Sequence, residues 1–145
     1  MTARRTYQNG GNACTGALPT YEGALRKRPQ AIVNEGTTNA FVTCSTSTEE
    51  MGASWPHHAY LRVRNYNAVA VSVTCTFVNG GDHEGSTTSV ATHVVSANHF
   101  KIMDWGSSSP GSPKFARRTV SFSCNLPPRT GVVYVGKGWL EEIGN

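Results

Sequence analysis

Val69-Ala70-Val71-Ser72-Val73-Thr74-Cys75-Thr76-Phe77 decides the fold. Apolar residues and cysteine occupy every second position, with hydroxyl side chains between them from Ser72 onward. Successive side chains of a strand point to opposite faces, so this period of two predicts a strand with Val69, Val71, Val73, Cys75 and Phe77 turned inward. Just upstream, Ala59–Arg64 puts Leu61 and Val63 on one face and Arg62 and Arg64 on the other. Asn65-Tyr66-Asn67 supplies turn residues between the two runs, which predicts a hairpin.

Working outward, further strands are expected at Ala31–Cys44 (interrupted by Asn34-Glu35-Gly36), Thr88–Val95, Phe100–Trp105, Phe115–Cys124 and about Val132–Leu140. Ala40, Val42 and Cys44 share one face, as do Val120, Phe122 and Cys124. The one helical signal is a possible turn at Tyr21–Arg28, ended by Pro29. Short strands at this spacing predict an all-β, antiparallel β-sandwich of about seven to eight strands, jelly-roll or Ig-like, with a small barrel as the alternative. No strand–helix–strand unit exists, so an α/β fold is excluded. The 145 residues suit one domain, 14–145. Residues 1–13, polar and rich in Gly and Asn, read as a flexible N-terminal arm and a poor donor strand.

The four cysteines, Cys14, Cys44, Cys75 and Cys124, are even in number and widely spaced. No Cys-x2–4-Cys pair suggests zinc, and no neighbouring base suggests a catalytic thiol. Two structural disulfides and an oxidising compartment follow, secreted or periplasmic. Three pairings are open. The preferred one is Cys14–Cys44, tying down the irregular start, with Cys75–Cys124, joining two core strands. Met1–Gln8 has no apolar h-region, so export implies a signal peptide removed upstream. No run of 18 apolar residues predicts a membrane span.

Several short motifs recur together: Ile32-Val33-Asn34 leading to Val42-Thr43-Cys44, then Val73-Thr74-Cys75, then Phe122-Ser123-Cys124-Asn125-Leu126-Pro127-Pro128 before a Gly-Val-Val-Tyr strand. Over roughly residues 12–140 the chain resembles a group of small secreted four-cysteine β-rich bacterial proteins known as hypothetical, with no assigned function. It departs by having Cys-Ser-Thr where that group often shows Cys-Pro-Leu. The resemblance implies an exported, disulfide-bonded β-domain and carries over no catalytic residue.

Charged residues make up only 15% and the net charge is +4. The basic doublets and triplet at Arg4-Arg5, Arg26-Lys27-Arg28 and Arg117-Arg118 point to a polyanion or to an ordinary solvated surface. They match no nucleic-acid-binding signature. Trp55, Tyr66 and Trp105 are candidate stacking groups for a sugar or anchors for a protein, with Arg62 and Arg64 beside them. For each tryptophan the competing role is core packing, and Trp139 beside Gly136 and Gly138 is expected to lie on the sheet. Asp82, His83, His93 and His99 form the weaker alternative, a metal site or, with Glu84, hydrolase chemistry. His57 and His58 are adjacent and must face opposite sides. There is no nucleophile elbow, and no cofactor is expected. The expected function is a non-enzymatic exported module binding carbohydrate, polyanion or another protein. A small secreted metal-binding protein or hydrolase is the second reading, and a structural subunit of an extracellular assembly the third.

Overall fold

The computed structural model describes residues 2–46, 56–83, 85–106, 115 and 117–141. Two antiparallel sheets pack face to face. The strands are β1 (Thr2–Asn9), β2 (Cys14–Gly16), β3 (Leu25–Arg28), β4 (Ala31–Asn34), β5 (Ala40–Ser45), β6 (Pro56–Asn65), β7 (Val71–Gly81), β8 (Gly85–Val95), β9 (Phe100–Gly106), β10 (Val120–Leu126) and β11 (Thr130–Glu141). Single helical turns, Gly10–Ala13 and Pro19–Glu22, lie between early strands. One sheet runs β3-β4-β11-β6-β9, with β1 also pairing β11; the other runs β2-β5-β10-β7-β8. The fold is the expected all-β antiparallel sandwich, with eleven strands among the described residues because several are only three or four residues long.

The core is what the alternations predict. Ala59, Leu61 and Val63 of β6 meet Val73, Cys75 and Phe77 of β7 and Val120, Phe122 and Cys124 of β10 in one buried cluster. Both disulfides form with the preferred pairing, Cys14–Cys44 and Cys75–Cys124. Each joins residues directly opposite on neighbouring strands of the same sheet. Gly80 donates its N–H to Thr119 and Thr46 donates to Val120. Counting from these bonds, both cysteine pairs fall at non-hydrogen-bonded positions, where facing strands approach most closely. The Cα separations are 4.0 and 4.1 Å.

Four expectations are corrected. Residues 2–9 are a strand, with eight residue pairs to β11. The pairing uses backbone groups, which a polar sequence carries as well as an apolar one. Ala59–Arg64 and Val71–Phe77 are not a hairpin, since β6 pairs β11 and β9 while β7 pairs β10 and β8. The chain passes between sheets there, and Val69 is 66% exposed in the crossing. The possible helical turn at Tyr21–Arg28 ends early: the turn is Pro19–Glu22, and Leu25–Arg28 is a strand paired with β4. Ala31–Cys44 is split at its turn into strands of different sheets.

Buried asparagines hold these corners. Asn34, Asn65 and Asn79 are fully buried at or near strand ends. The Asn65 amide donates to the carbonyls of Val69, Val95 and Ser96, while its oxygen accepts from Asn67. The Asn34 amide donates to Thr38 and Leu126, and that of Asn79 to Arg117 and Thr119. Each replaces strand pairing where the backbone turns away from its ladder.

Candidate functional site

The outward faces of the two sheets differ in chemistry. On the β2-β5-β10-β7-β8 sheet, register places Thr15, Thr43, Ser123 and Thr76 side by side on four successive strands. That face is hydroxyl-bearing, and its one aromatic contact among the described residues is Phe41 against Tyr21.

The other sheet turns His58, Tyr60, Arg62 and Arg64 of β6 outward, because Ala59, Leu61 and Val63 point into the core. On one side β9 contributes Phe100, Ile102 and Asp104, in register with Arg64, Arg62 and Tyr60. On the other side β11 carries a register shift between Val132 and Tyr134. This bulge changes the phase of the strand, so that Val132 and Val135 both face the core. Tyr134, Gly136 and Gly138 then lie beside Arg62, Tyr60 and His58. Beyond them β1 brings Tyr7 opposite Gly136 and Arg5 opposite Gly138.

The missing side chain at Gly136 makes the site. A Cβ there would run into the Tyr60 ring and the Thr6 carbonyl, so Tyr60 lies flat across the glycine. Its hydroxyl shares its one proton between the carbonyls of Thr6 and Lys137, at 3.0 and 3.2 Å. Burial, and then the neighbouring Tyr7 phenol, push the Tyr60 hydroxyl well above its ordinary range, so it stays protonated. Tyr7 sits 5.1 Å from Tyr60 and 5.3 Å from Tyr134, centroid to centroid, and is itself 55% exposed. Around these rings is a pocket of about 150 Å³, rimmed by Arg5, His58, Ile102 and Asp104. His58 Nδ1 lies 2.8 Å from Asp104 Oδ1, which orients the imidazole and leaves its other nitrogen for hydrogen bonding.

Further along β6, the Arg62 guanidinium lies 3.3 Å above the Phe100 ring centroid and 5.9 Å from that of Tyr134. Arg64 lies 5.1 Å from the Tyr66 ring centroid. Tyr66 borders an open groove of about 1180 Å³ at the end of the sandwich, between the β3–β4 hairpin and the turn carrying Pro128 and Arg129.

Of the residues singled out in the sequence, Arg62, Arg64 and Tyr66 therefore share one face and its end. Trp105 is corrected: it is 2% exposed and packs 5.9 Å from Phe77 and 5.7 Å from Phe122, because Trp105 has the inward parity of β9. Trp139 is also buried. Trp55 and Glu84 lie outside the described residues. The metal alternative is not assembled. Asp82 and His83 sit at the tip of the β7–β8 hairpin, while His93 pairs with Val73 eight residues down the same strand. At about 3.3 Å per residue that is roughly 25 Å. His99 lies in the next turn, and no group of three or more His, Cys, Asp or Glu side chains converges among the described residues. Tyr7, Tyr60 and Tyr134 were missed as a cluster. Their signal was the shared parity of Tyr60 with Arg62 and the two glycines beside Tyr134.

No family model matches the chain, and no curated protein does. Among solved structures, it is similar to a Podospora anserina GH26-CBM35 β-(1,4)-mannanase, at 8% identity and a TM-score of 0.48. That match covers 97% of this chain and 28% of the mannanase chain, so the protein spans little more than a quarter of that enzyme's length. It is also similar to a family 11 carbohydrate-binding module from Clostridium thermocellum, solved with a β-1,3-1,4-mixed-linked tetrasaccharide. There the identity is 8% and the TM-score 0.39, over 100% of this chain and 87% of that one. No residue's role is carried over from either.

Proposed function

We propose that the protein is a non-enzymatic glycan-binding module of an oxidising, extracytoplasmic compartment, and that it binds sugar on the outer face of the β1-β11-β6-β9 surface. The observation that carries this reading is the tyrosine cluster. Tyr7, Tyr60 and Tyr134 line a pocket whose rim is polar and charged. A sugar ring has an apolar face and a hydroxyl edge. An exposed Tyr7 ring offers the first a surface, and Arg5, His58 and Asp104 offer the second donors and acceptors.

The platform is preorganised. Tyr60 is pinned beneath Tyr7 by a hydroxyl proton shared between two backbone carbonyls, so ligand binding does not have to order it. The two disulfides fit an oxidising compartment, and no helix among the described residues is long and apolar enough to cross a membrane.

A glycan array followed by calorimetry tests the proposal. Tyr7→Ala is expected to weaken binding of a positive glycan by up to about tenfold, since an aromatic stacking contact contributes on the order of 0.5–1.5 kcal/mol. Because Tyr7 is exposed, its melting temperature is expected to change little. Unchanged affinity in Tyr7→Ala, or silence across neutral and acidic glycans alike, contradicts the proposal.

A further inference from the structure

The outward residues of β6 do not stop at the tyrosine pocket. His58, Tyr60, Arg62 and Arg64 follow one another at every second position, and Tyr66 continues the series at the strand's end. Eight residues of strand span about 26 Å, so this line joins the small pocket to the large end groove. Its chemistry changes along the way, from tyrosine and a His–Asp pair to arginines braced on aromatic rings.

Three acids among the described residues are already engaged. Asp104 is held by His58, Glu35 by Arg28 and Arg26, and Glu141 by Arg4. Arg62, Arg64 and Arg129 have no carboxylate partner among the described residues. Arg62 and Arg64 are instead fixed over Phe100 and Tyr66, which holds each planar fork in place at little entropic cost on binding. Arg129 is held differently. It is one of two described non-glycine residues with positive φ, at 56°, a conformation costly for a side chain of this kind. Its N–H donates to the Asn34 carbonyl and its own carbonyl accepts from Tyr66, so the turn is fixed at both ends. Its guanidinium makes a 3.3 Å bond to the Tyr66 carbonyl at the groove, and among the described residues its other donors have no acceptor within hydrogen-bond distance.

Building on the glycan reading above, we infer that the ligand is an extended, carboxylate-bearing polysaccharide lying along β6. One sugar occupies the Tyr7–Tyr60–Tyr134 pocket, uronate groups meet the forks of Arg62 and Arg64, and the chain ends against Arg129 in the groove. Arginine forks match carboxylates two bonds at a time, and residues two apart on a strand present them at intervals of about 7 Å.

The test uses a galacturonate dimer, longer galacturonate oligomers, neutral gluco-oligomers of matching length and a sulfated oligomer lacking uronate. Affinity is expected to rise with galacturonate length and to fall steeply with salt. Arg64→Gln and Arg129→Gln are each expected to weaken the long galacturonate about tenfold, bringing it toward the dimer, with the dimer unchanged. Equal binding of neutral and acidic oligomers, no loss in either arginine variant, or preference for the sulfated oligomer overturns the inference. Tyr7→Ala separates the two readings. If it leaves the dimer's affinity intact, the pocket reading fails. If it weakens the dimer while the arginine variants leave long oligomers unaffected, only the track fails.

Discussion

Asn65 sits at one of the corners where the chain crosses between the two sheets, and its replacement exposes how strongly one side chain holds that corner. The amide shares two hydrogens among three carbonyls, and its oxygen accepts from both the backbone and the side chain of Asn67. Asn65→Ala therefore removes about four hydrogen bonds from a fully buried position. At about 1 kcal/mol net for each, the expected loss is about 4 kcal/mol, a large part of a small domain's stability. Asn65→Asp has the same shape and divides the effect. It keeps the accepting oxygen and turns a carboxylate toward the carbonyls of Val69, Val95 and Ser96. Burial and those carbonyls raise the new carboxyl's folded pKa above its ordinary value near 3.9. A raised folded pKa gives stability that is present below the unfolded value and lost as pH rises. Asn65→Asp should therefore be more stable at pH 4 than at pH 7 relative to the parent, by urea unfolding at each pH. An alanine variant costing under about 1 kcal/mol, or an aspartate variant with no added pH dependence, refutes the claim that these bonds close the corner.

Three other outcomes are expected. Removing the disulfides as Cys→Ala pairs should cost about 3.6 kcal/mol for the 30-residue separation and about 4.1 kcal/mol for the 49-residue one. The two loops do not overlap, so the losses should add in urea titrations, and a marked shortfall in the sum would contradict independent bracing. Gly136→Ala should displace Tyr60, loosen β1 and cost about 1–3 kcal/mol, seen as a lower Tm and faster amide exchange over residues 2–9. Burial, then His58 and Arg5, push the His57 imidazole below 6.5. A lowered folded pKa in a base makes stability fall as pH drops below about 6.5, so the Tm of the parent should decline there and His57→Gln should flatten the decline.

Much of this was legible because β-strands write their faces into the sequence. The parity of Val73, Cys75 and Phe77 located one core face, and that of Val120, Phe122 and Cys124 its neighbour. Cysteine spacing left three pairings open, and the structure forms the preferred one. The outward Arg62 and Arg64 were readable from the same rule. What local sequence does not encode is partnership at a distance. Asn65-Tyr66-Asn67 looks like a hairpin turn whether the chain returns along its own sheet or crosses to the other. The strand at residues 2–9 is made by backbone pairing with β11, which side-chain pattern does not announce. The bulge after Val132 shifts the phase of β11, hiding that Tyr134 and Gly136 face out together. Tyr7, Tyr60 and Tyr134 consequently come from three distant segments, and only the sheet brings them within 6.4 Å.

The central claim is that one outer face takes a glycan. Mapping backbone amide chemical shifts during titration with galacturonate oligomers tests it most directly. The account predicts shifts along β6 from His58 to Tyr66, with Tyr7, Tyr134 and Arg129 responding and the β2-β5-β10-β7-β8 sheet silent. Shifts confined to that hydroxyl-bearing sheet, around Thr43, Thr76 and Ser123, would contradict it.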